Sequence, residues 1–161
     1  MKHDEFMTEA LNEAKIAYKK NEVPIGAIIV VDGKIIARGH NLRETLETTA
    51  SHAEMIAIDN ANQATGFWRL EDATLYTTVE PCMMCAGTIV QARIRRVVYG
   101  TRDYKAGCGG TIYNLLQDSR FNHQCEVIQG VLEEECQNLM SQFFKQLRER
   151  KKNQRDKIKN Y

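Results

Sequence analysis

No apolar run in the sequence approaches the roughly 20 residues that a membrane-spanning helix needs. The longest run, residues 25–31, is interrupted by Gly26. The first residues, MKHDEFM, are polar and acidic and lack the apolar core of a secretory signal. Only two prolines occur among 161 residues, and neither a Pro/Gly-rich linker nor an internal repeat divides the chain. These absences predict a single cytoplasmic domain over residues 1–161 without a membrane span.

Disulfide bonds are not expected either. The chain has five cysteines, which is an odd number. The cytoplasm is a reducing compartment, so a framework of disulfides is not predicted there. The cysteines are therefore interpreted as metal ligands or as packing groups.

The chain has almost no net charge, +1 at pH 7. Its basic and acidic residues are nevertheless unevenly distributed along the sequence. Residues 148–161 carry seven Lys or Arg and two acidic residues, whereas the other 147 residues carry 15 basic and 19 acidic ones. A basic C-terminal helix or tail from about residue 148 favours a polyanionic partner. The simpler interpretation of a lone basic tail is a solvated helix end.

Hydrophobic periodicity and turn signals predict helices that alternate with strands. Helical spacing covers residues 4–20, 52–64, 82–92, 112–117 and 132–152. Strand-like runs cover residues 25–31, 34–38, 73–79, 95–100 and 125–129, and loops are predicted at 40–51 and 101–110. The Asp32-Gly33 pair between two strand-like runs predicts a hairpin. This alternation predicts an α/β sandwich around one sheet.

Cys82 and Cys85 form a Cys-x-x-Cys pair at the predicted start of a helix. This spacing places two sulfurs on one face of the first turn, and the helix N-terminus favours their thiolate forms. Two thiolates predict a zinc ion, which needs at least one more ligand. His52, also at a predicted helix start, is the best candidate among four histidines. No fourth protein ligand is obvious, and a position left for water is typical of a catalytic zinc site.

Glu54 lies two residues after His52. In the first turn of a helix, both side chains lean back over the N-terminus and can reach one site. A zinc-bound water is acidic near neutral pH, and a carboxylate beside it can carry the proton. The alternative is a closed structural zinc site with Cys108 or His123 as the fourth ligand. That interpretation leaves Glu54 without a role.

The ordered combination of HAE at 52–54 and PCMMC at 81–85 resembles the zinc-dependent nucleoside and base deaminases. Within that superfamily the chain is similar to the bacterial tRNA-specific adenosine deaminases over nearly its whole length. Segments outside the general motif carry this closer resemblance: GCGGTIYNLL at 107–116, RFNHQ at 120–124, GVLEEEC at 130–136 and FFKQLR at 143–148. Ser51 departs from the family's usual residues before the motif, but serine is able to cap a helix.

The resemblance implies a three-layer α/β/α, cytidine-deaminase-like sandwich around one mixed five-stranded sheet. It also implies hydrolysis of adenosine to inosine at the wobble position, the first of the anticodon, in an arginine tRNA with an ACG anticodon. His52, Cys82 and Cys85 would hold one Zn²⁺ per subunit of a homodimer, with water or hydroxide as the fourth ligand. Glu54 would carry the water's proton to the ring nitrogen and then protonate the departing ammonia.

The resemblance also implies contacts with the anticodon stem-loop. Asn41 would hydrogen-bond the flipped purine, since an amide donates and accepts in one plane, although a turn role accounts for it equally well. Asp103 would contact a ribose hydroxyl or cap its own loop. One of Phe143 and Phe144 would be buried and the other would reach RNA. The remaining candidates for the RNA-contacting rim are cationic, polar or flat: Arg43, Arg102, Lys105, Asn122, His123, Phe144 and Arg148.

Several interpretations compete with this one. The apolar face of helix 82–92 is a candidate dimer contact or ordinary core: Met83, Met84, Ile89 and Val90. A deaminase of guanine, cytidine or deoxycytidylate would share the site, but it would not need the basic segment FFKQLRERKK. A zinc-stapled RNA-binding module predicts four protein ligands, and a dithiol redox protein predicts a thiol couple without metal.

Overall fold

The computed structural model describes residues 2–159, which form five strands and five helices. In chain order these elements are α1 (His3–Lys19), β1 (Gly26–Val31), β2 (Lys34–His40), α2 (Arg43–Leu46), α3 (Ala53–Thr65), β3 (Thr74–Val79), α4 (Met83–Gln91), β4 (Arg96–Thr101), β5 (Glu126–Gln129) and α5 (Glu133–Lys159). No helix within residues 2–159 is long and apolar enough to cross a membrane.

The strands form one sheet in the order β2-β1-β3-β4-β5. β1 runs antiparallel to both of its neighbours, whereas β3, β4 and β5 are parallel. The predicted mixed five-stranded sheet is therefore confirmed. The predicted hairpin is also present, because Asp32 and Gly33 have the positive φ values, 50° and 74°, that a tight two-residue turn requires. The parallel strands β3 and β4 end at the same sheet edge, where open α/β sheets bind ligands.

Two hydrophobic clusters place the helices in layers on either side of the sheet. One cluster joins α1 and α5 to one face, and its members include Met7, Ile28 and Cys136. The other joins α3 and α4 to the opposite face, and its members include Ala57, Leu75 and Ile89. The predicted three-layer α/β/α sandwich is confirmed.

Gly39 on β2 allows α3 to lie directly against the sheet. A Cβ atom at Gly39 would lie 2.5 Å from the carbonyl oxygen of Ala53 and 2.7 Å from the backbone nitrogen of Ala57. A side chain would not fit there without moving the helix backbone. Because Ala53 lies between His52 and Glu54, this close contact fixes the start of α3 and both predicted site residues relative to the sheet.

Some predicted elements are wrong or misplaced. Residues 112–117 form turns and not a helix, since the Leu115 N–H bonds to the Cys108 carbonyl at 3.0 Å and Gly109 bridges to Asn114. The predicted loop 40–51 contains the last residue of β2 and the short helix α2. The last helix continues to Lys159, beyond its predicted end at residue 152. The predicted basic tail reaches residue 161, and its last two residues lie outside the described part of the chain.

Candidate metal-binding active site

The starts of α3 and α4 bring the predicted metal ligands together. His52 is the residue before α3 and Cys82 the residue before α4, and Cys85 lies in the first turn of α4. Both preceding residues have extended backbone and accept the first helical hydrogen bond, from Ile56 to His52 at 3.1 Å and from Ala86 to Cys82 at 2.8 Å. Their side chains are therefore placed over the two helix N-termini.

The capping role suggested for Ser51 is wrong. The N-cap residue of α3 is His52, and no side chain caps the helix. The imidazole of His52 is instead directed at the two cysteines.

The three donor atoms match the spacing that a zinc ion requires. The Nδ1 atom of His52 lies 3.6 Å from the Cys82 sulfur and 3.5 Å from the Cys85 sulfur. Tetrahedral zinc with bonds of about 2.3 Å to sulfur and about 2.0 Å to nitrogen would place sulfur and nitrogen roughly 3.5 Å apart. All three donor atoms lie within 4.8 Å of one another. This group therefore fits zinc in both donor chemistry and geometry.

The electrostatics of the group favour a thiolate. A hydrogen bond from Cys85 is the largest of the effects that lower the pKa of Cys82 to about 4, and a hydrogen bond to His52 adds to it. The interaction with Cys82 in turn raises the pKa of His52. A thiolate is the form in which cysteine binds a metal, so the lowered pKa of Cys82 favours its ligand form.

Glu54 lies beside these donors in the first turn of α3 and is only 4% exposed. Burial is the main cause that raises the pKa of its carboxyl group to about 7. Cys85 contributes a hydrogen bond, and the charges of Cys82 and His52 also act on Glu54, which shows how close the four side chains are. A carboxyl group that titrates near neutrality can both accept and release a proton at cellular pH.

The two candidates for a fourth protein ligand lie outside this group. Among the described residues, only His52, Cys82 and Cys85 form a cluster able to hold a metal. Cys108 is buried in the hydrophobic cluster under α3 and α4. The Nε2 atom of His123 lies 2.7 Å from the carbonyl oxygen of Ile94, beyond the C-terminal end of α4. The nine residues of α4 place its C-terminal end about 13 Å from its N-terminal end, where Cys82 lies.

Asn41 is buried and already makes two hydrogen bonds. Its amide nitrogen donates to the carbonyl oxygen of Val23 at 3.3 Å, and its amide oxygen accepts the N–H of Arg43 at 3.2 Å. These bonds are those expected of a turn residue. An amide has one further N–H and one further lone pair, so a contact with a purine stays a prediction.

Asp103 caps its own loop. One of its oxygens accepts the N–H groups of Lys105 and Ala106 at 3.0 and 3.1 Å. The loop-capping alternative for Asp103 therefore has observed contacts, and the ribose contact stays a prediction. Arg102 and Lys105 are exposed in the same loop.

The other rim candidates are spread over three parts of the surface. Arg43 is exposed at the start of α2, and Asn122 is exposed near His123. On α5, Phe143 is buried and packs edge-on against Tyr18 with ring centroids 5.7 Å apart. Phe144 is 37% exposed, and Arg148 lies four residues further along, on the same helix face. One phenylalanine is thus buried and one exposed, as predicted.

Comparison with known proteins identifies the family. The MafB19-like deaminase family model matches residues 1–148. The tRNA-specific adenosine deaminase of Bacillus subtilis is 59% identical over 153 residues, which are 94% of this chain and 95% of the relative. That of Streptococcus pyogenes serotype M18 is 51% identical over 148 residues, 92% of this chain and 93% of the relative. The chain belongs to the tRNA-specific adenosine deaminase family.

Solved structures agree with this family. A structure from a study of A-to-I editing by tRNA:A34 deaminases at the wobble position superposes with a TM-score of 0.81 and 41% identity, over 84% of this chain and 98% of that one. A guanine deaminase from Bacillus subtilis gives a TM-score of 0.62 and 38% identity, over 69% and 71%. This tRNA adenosine deaminase family member is therefore a hydrolytic enzyme, and its His-Cys-Cys group is consistent with zinc.

Sequence reasoning missed two buried glutamates of this deaminase. Glu22 is 0% exposed and Glu80 is 2% exposed. Each accepts backbone N–H groups from a segment that carries predicted RNA-contacting residues. The available signal was an acidic residue beside an apolar run, VPIGAIIV after Glu22 and LYTTV before Glu80. Charged residues are seldom fully buried without partners, so such positions indicate hydrogen-bonded carboxylates.

Proposed function

We propose that the protein converts adenosine to inosine at the wobble position of a tRNA, with an arginine tRNA of ACG anticodon as its substrate. The observation that carries this proposal is the zinc-spaced group of His52, Cys82 and Cys85 beside the buried Glu54. The identity of 59% to a tRNA-specific adenosine deaminase supports the substrate class. The cytoplasm is where such a substrate is available.

The three donors are assigned to one zinc ion per subunit. His52 would bind through Nδ1, and Cys82 and Cys85 through their sulfurs. We assign the fourth position to a water molecule, because three protein ligands and one open position are typical of catalytic zinc. Zinc, when bound, acts as a Lewis acid that makes a water molecule acidic near neutral pH.

Glu54 is assigned the proton transfers. Its carboxylate takes a proton from the attacking water and delivers it to the ring nitrogen next to the amine-bearing carbon of adenine. It then takes the second proton of that water, from the hydroxyl group now bonded to this carbon, and passes it to the amine, which leaves as ammonia while the carbonyl group of inosine forms. The pKa of about 7 suits a group that accepts and donates in one cycle. Burial beside the metal donors holds it within reach of both steps.

The base must leave its stack to reach this site, and an anticodon loop offers such a base at lower cost than a duplex. Asn41 would bind the purine edge through its remaining N–H and lone pair, and Asp103 would contact the ribose. Phe144 would stack on a neighbouring base. Phosphate and loop contacts are assigned to the remaining rim residues: Arg43, Arg102, Lys105, Asn122, His123 and Arg148.

Nucleoside analysis of treated RNA tests the activity. An anticodon stem-loop with adenosine at the first anticodon position is incubated with the purified protein, digested and examined for inosine by mass. We expect inosine from this RNA and no product from guanine, cytidine or deoxycytidylate in parallel reactions. A stem-loop with adenosine moved one position along the loop serves as the matched control. Deamination of a small substrate with the RNA untouched would overturn the proposal.

We infer that the protein is a homodimer that uses the exposed start of α4. Ile89 and Val90 belong to the buried core, so that part of the predicted contact face is wrong. Met83 is 74% exposed and directly follows Cys82, so a large apolar side chain is accessible at the start of α4. An apolar side chain in this position is available for a contact between subunits.

A charge at position 83 is expected to separate the subunits. Met83→Glu should change the mass in light scattering from that of two chains to that of one, because a carboxylate would be buried at the contact. Phe67→Glu is the control, since Phe67 is equally exposed but lies after α3. Zinc content checks that the neighbouring Cys82 is intact. A wild-type monomer, or a Met83→Glu dimer, would contradict the inference.

A further inference from the structure

The carboxylate of Glu80 accepts several hydrogen bonds from one loop, residues 102–111. It accepts the N–H groups of Asp103 at 3.1 Å, Gly109 at 2.9 Å and Thr111 at 3.0 Å, and also the Thr111 hydroxyl group. Glu80 follows β3 directly and lies two residues before the metal ligand Cys82. One buried side chain therefore joins the metal-binding turn to the whole length of this loop.

The loop is shaped around this carboxylate. A Cβ atom at Gly107 would lie 2.5 Å from the carboxyl carbon of Glu80 and 2.6 Å from one of its oxygens. At Gly109 it would lie 3.3 Å from the Cγ atom of Glu80. Gly107 is therefore needed because any side chain there would displace the carboxylate.

Backbone bonds tie the same two segments together. The Glu80 N–H donates to the Thr101 carbonyl at 2.9 Å, and the Cys108 N–H donates to the Pro81 carbonyl at 2.8 Å. Asp103, held by Glu80, caps the N–H groups of Lys105 and Ala106 in turn. The carboxylate of Glu80 therefore positions the backbone of Asp103, and Asp103 in turn positions the backbone of Lys105 and Ala106.

We propose that Glu80 is a positioning residue that holds the 102–111 loop in its RNA-binding conformation relative to the metal site. This proposal rests on the proposed function, because it assigns the loop's Asp103 and Lys105 to RNA. A loop that is already ordered loses less conformational entropy when RNA binds. Glu80 therefore contributes to RNA affinity without touching RNA and without a part in the chemical step.

The charge of Glu80 matters as well as its shape. All four partners are donors, and a carboxylate accepts only. A glutamine has the same shape but would direct an NH₂ group at some of these donors. Glu80→Gln therefore disturbs the loop, whereas a side chain that only filled space would tolerate the change.

Glu22 provides the matched control. It is equally buried and accepts the N–H groups of Glu44 and Thr45 at 3.1 and 2.6 Å, in the first turn of α2. That turn carries Arg43, a rim residue of a different segment. Two buried carboxylates thus hold two different segments, and their variants should affect different RNA contacts.

The test combines Glu80→Gln or Glu22→Gln with Lys105→Ala or Arg43→Ala and measures kcat, KM for the stem-loop RNA, and zinc content. We expect Glu80→Gln to raise KM about tenfold, with kcat and zinc within about twofold of wild type. Lys105→Ala should then raise KM little further in the Glu80→Gln protein. In the Glu22→Gln protein it should raise KM by as much as it does in wild type. Arg43→Ala should show the reverse pattern, because contacts within one disturbed segment are not additive.

Amide hydrogen exchange gives a readout that needs no activity. Glu80→Gln should accelerate exchange at Asp103, Gly109 and Thr111 and leave Glu44 and Thr45 unchanged. Unchanged exchange in the loop, or fully additive effects in every combination, would overturn the positioning role. If Glu80→Gln does not fold, Thr111→Val removes one donor and should raise KM less, in the same pattern. Loop-specific exchange together with a wild type that makes no inosine would reject the proposed function and leave the anchoring of the loop by Glu80 standing.

Discussion

Glu54→Gln is expected to lower kcat by on the order of 10³-fold while the protein keeps its zinc. The amide keeps the shape of the side chain but cannot carry a proton between water, ring nitrogen and leaving amine. Glu54 lies beside the metal-binding group of His52, Cys82 and Cys85 and is not a member of it, so zinc content should not change. Single-turnover formation of inosine in the stem-loop RNA, with zinc measured on the same sample, checks both parts.

Glu126→Gln is the matched control for this change. Glu126 lies on β5, pairs with Arg96 at 3.0 Å and is far more exposed than Glu54, so its amide variant should keep wild-type turnover. Loss of zinc from Glu54→Gln would make Glu54 a ligand or a support of one. Near-normal turnover with zinc bound would remove Glu54 from the chemical step. RNA binding and zinc without inosine formation, in both wild type and variant, would favour the interpretation as an RNA-binding module without catalysis.

The metal group could be predicted from sequence because each half of it is local. Cys82 and Cys85 are placed by the first turn of one helix, and His52 and Glu54 by the first turn of another. Helix starts follow from periodicity over a few residues, and the donor types identify the metal. Only the distance between the two halves needs the fold, and it is set by the close contact of α3 with Gly39 on β2.

The turns of residues 112–117 could not be predicted in this way. Ile112, Leu115 and Leu116 have helical spacing, but the segment forms turns because its donors are taken by distant partners. Thr111 bonds to Glu80, and Leu115 bonds to the Cys108 carbonyl. Hydrophobic periodicity reports only on residues that are close in sequence. It gives no information about a buried carboxylate 31 residues earlier. The position of His123 beyond the C-terminal end of α4 could not be predicted either, because its partner Ile94 is distant in sequence.

For Asn41 and Asp103, the sequence could not decide between two possible roles. In both, the residue type allowed a contact with substrate and a contact with the chain's own backbone. The structure shows the backbone contacts, which hold each side chain in a defined orientation. An ordered side chain with hydrogen-bonding capacity left over is also what a binding site requires, so the two roles are compatible.

Removal of one metal ligand is expected to abolish both metal binding and activity. Cys85→Ala leaves one histidine and one cysteine, too few to hold zinc, so zinc content should fall from about one ion per chain to almost none. Inosine formation should fall with it, and excess zinc in the assay should restore little. Elemental analysis after dialysis and the stem-loop assay are the two measurements.

Cys108→Ala is the control, because Cys108 is also a buried thiol and loses the same atoms, but lies outside the metal group. It should keep zinc and turnover. If Cys108→Ala also lost zinc, Cys108 would be a fourth protein ligand of the metal, and the site would be a closed structural one. If the wild type bound no zinc and Cys85→Ala removed a thiol redox couple, the dithiol interpretation would replace the deaminase site. Retention of zinc by Cys108→Ala and its loss from Cys85→Ala leave an open coordination position beside Glu54, which a hydrolytic deaminase requires.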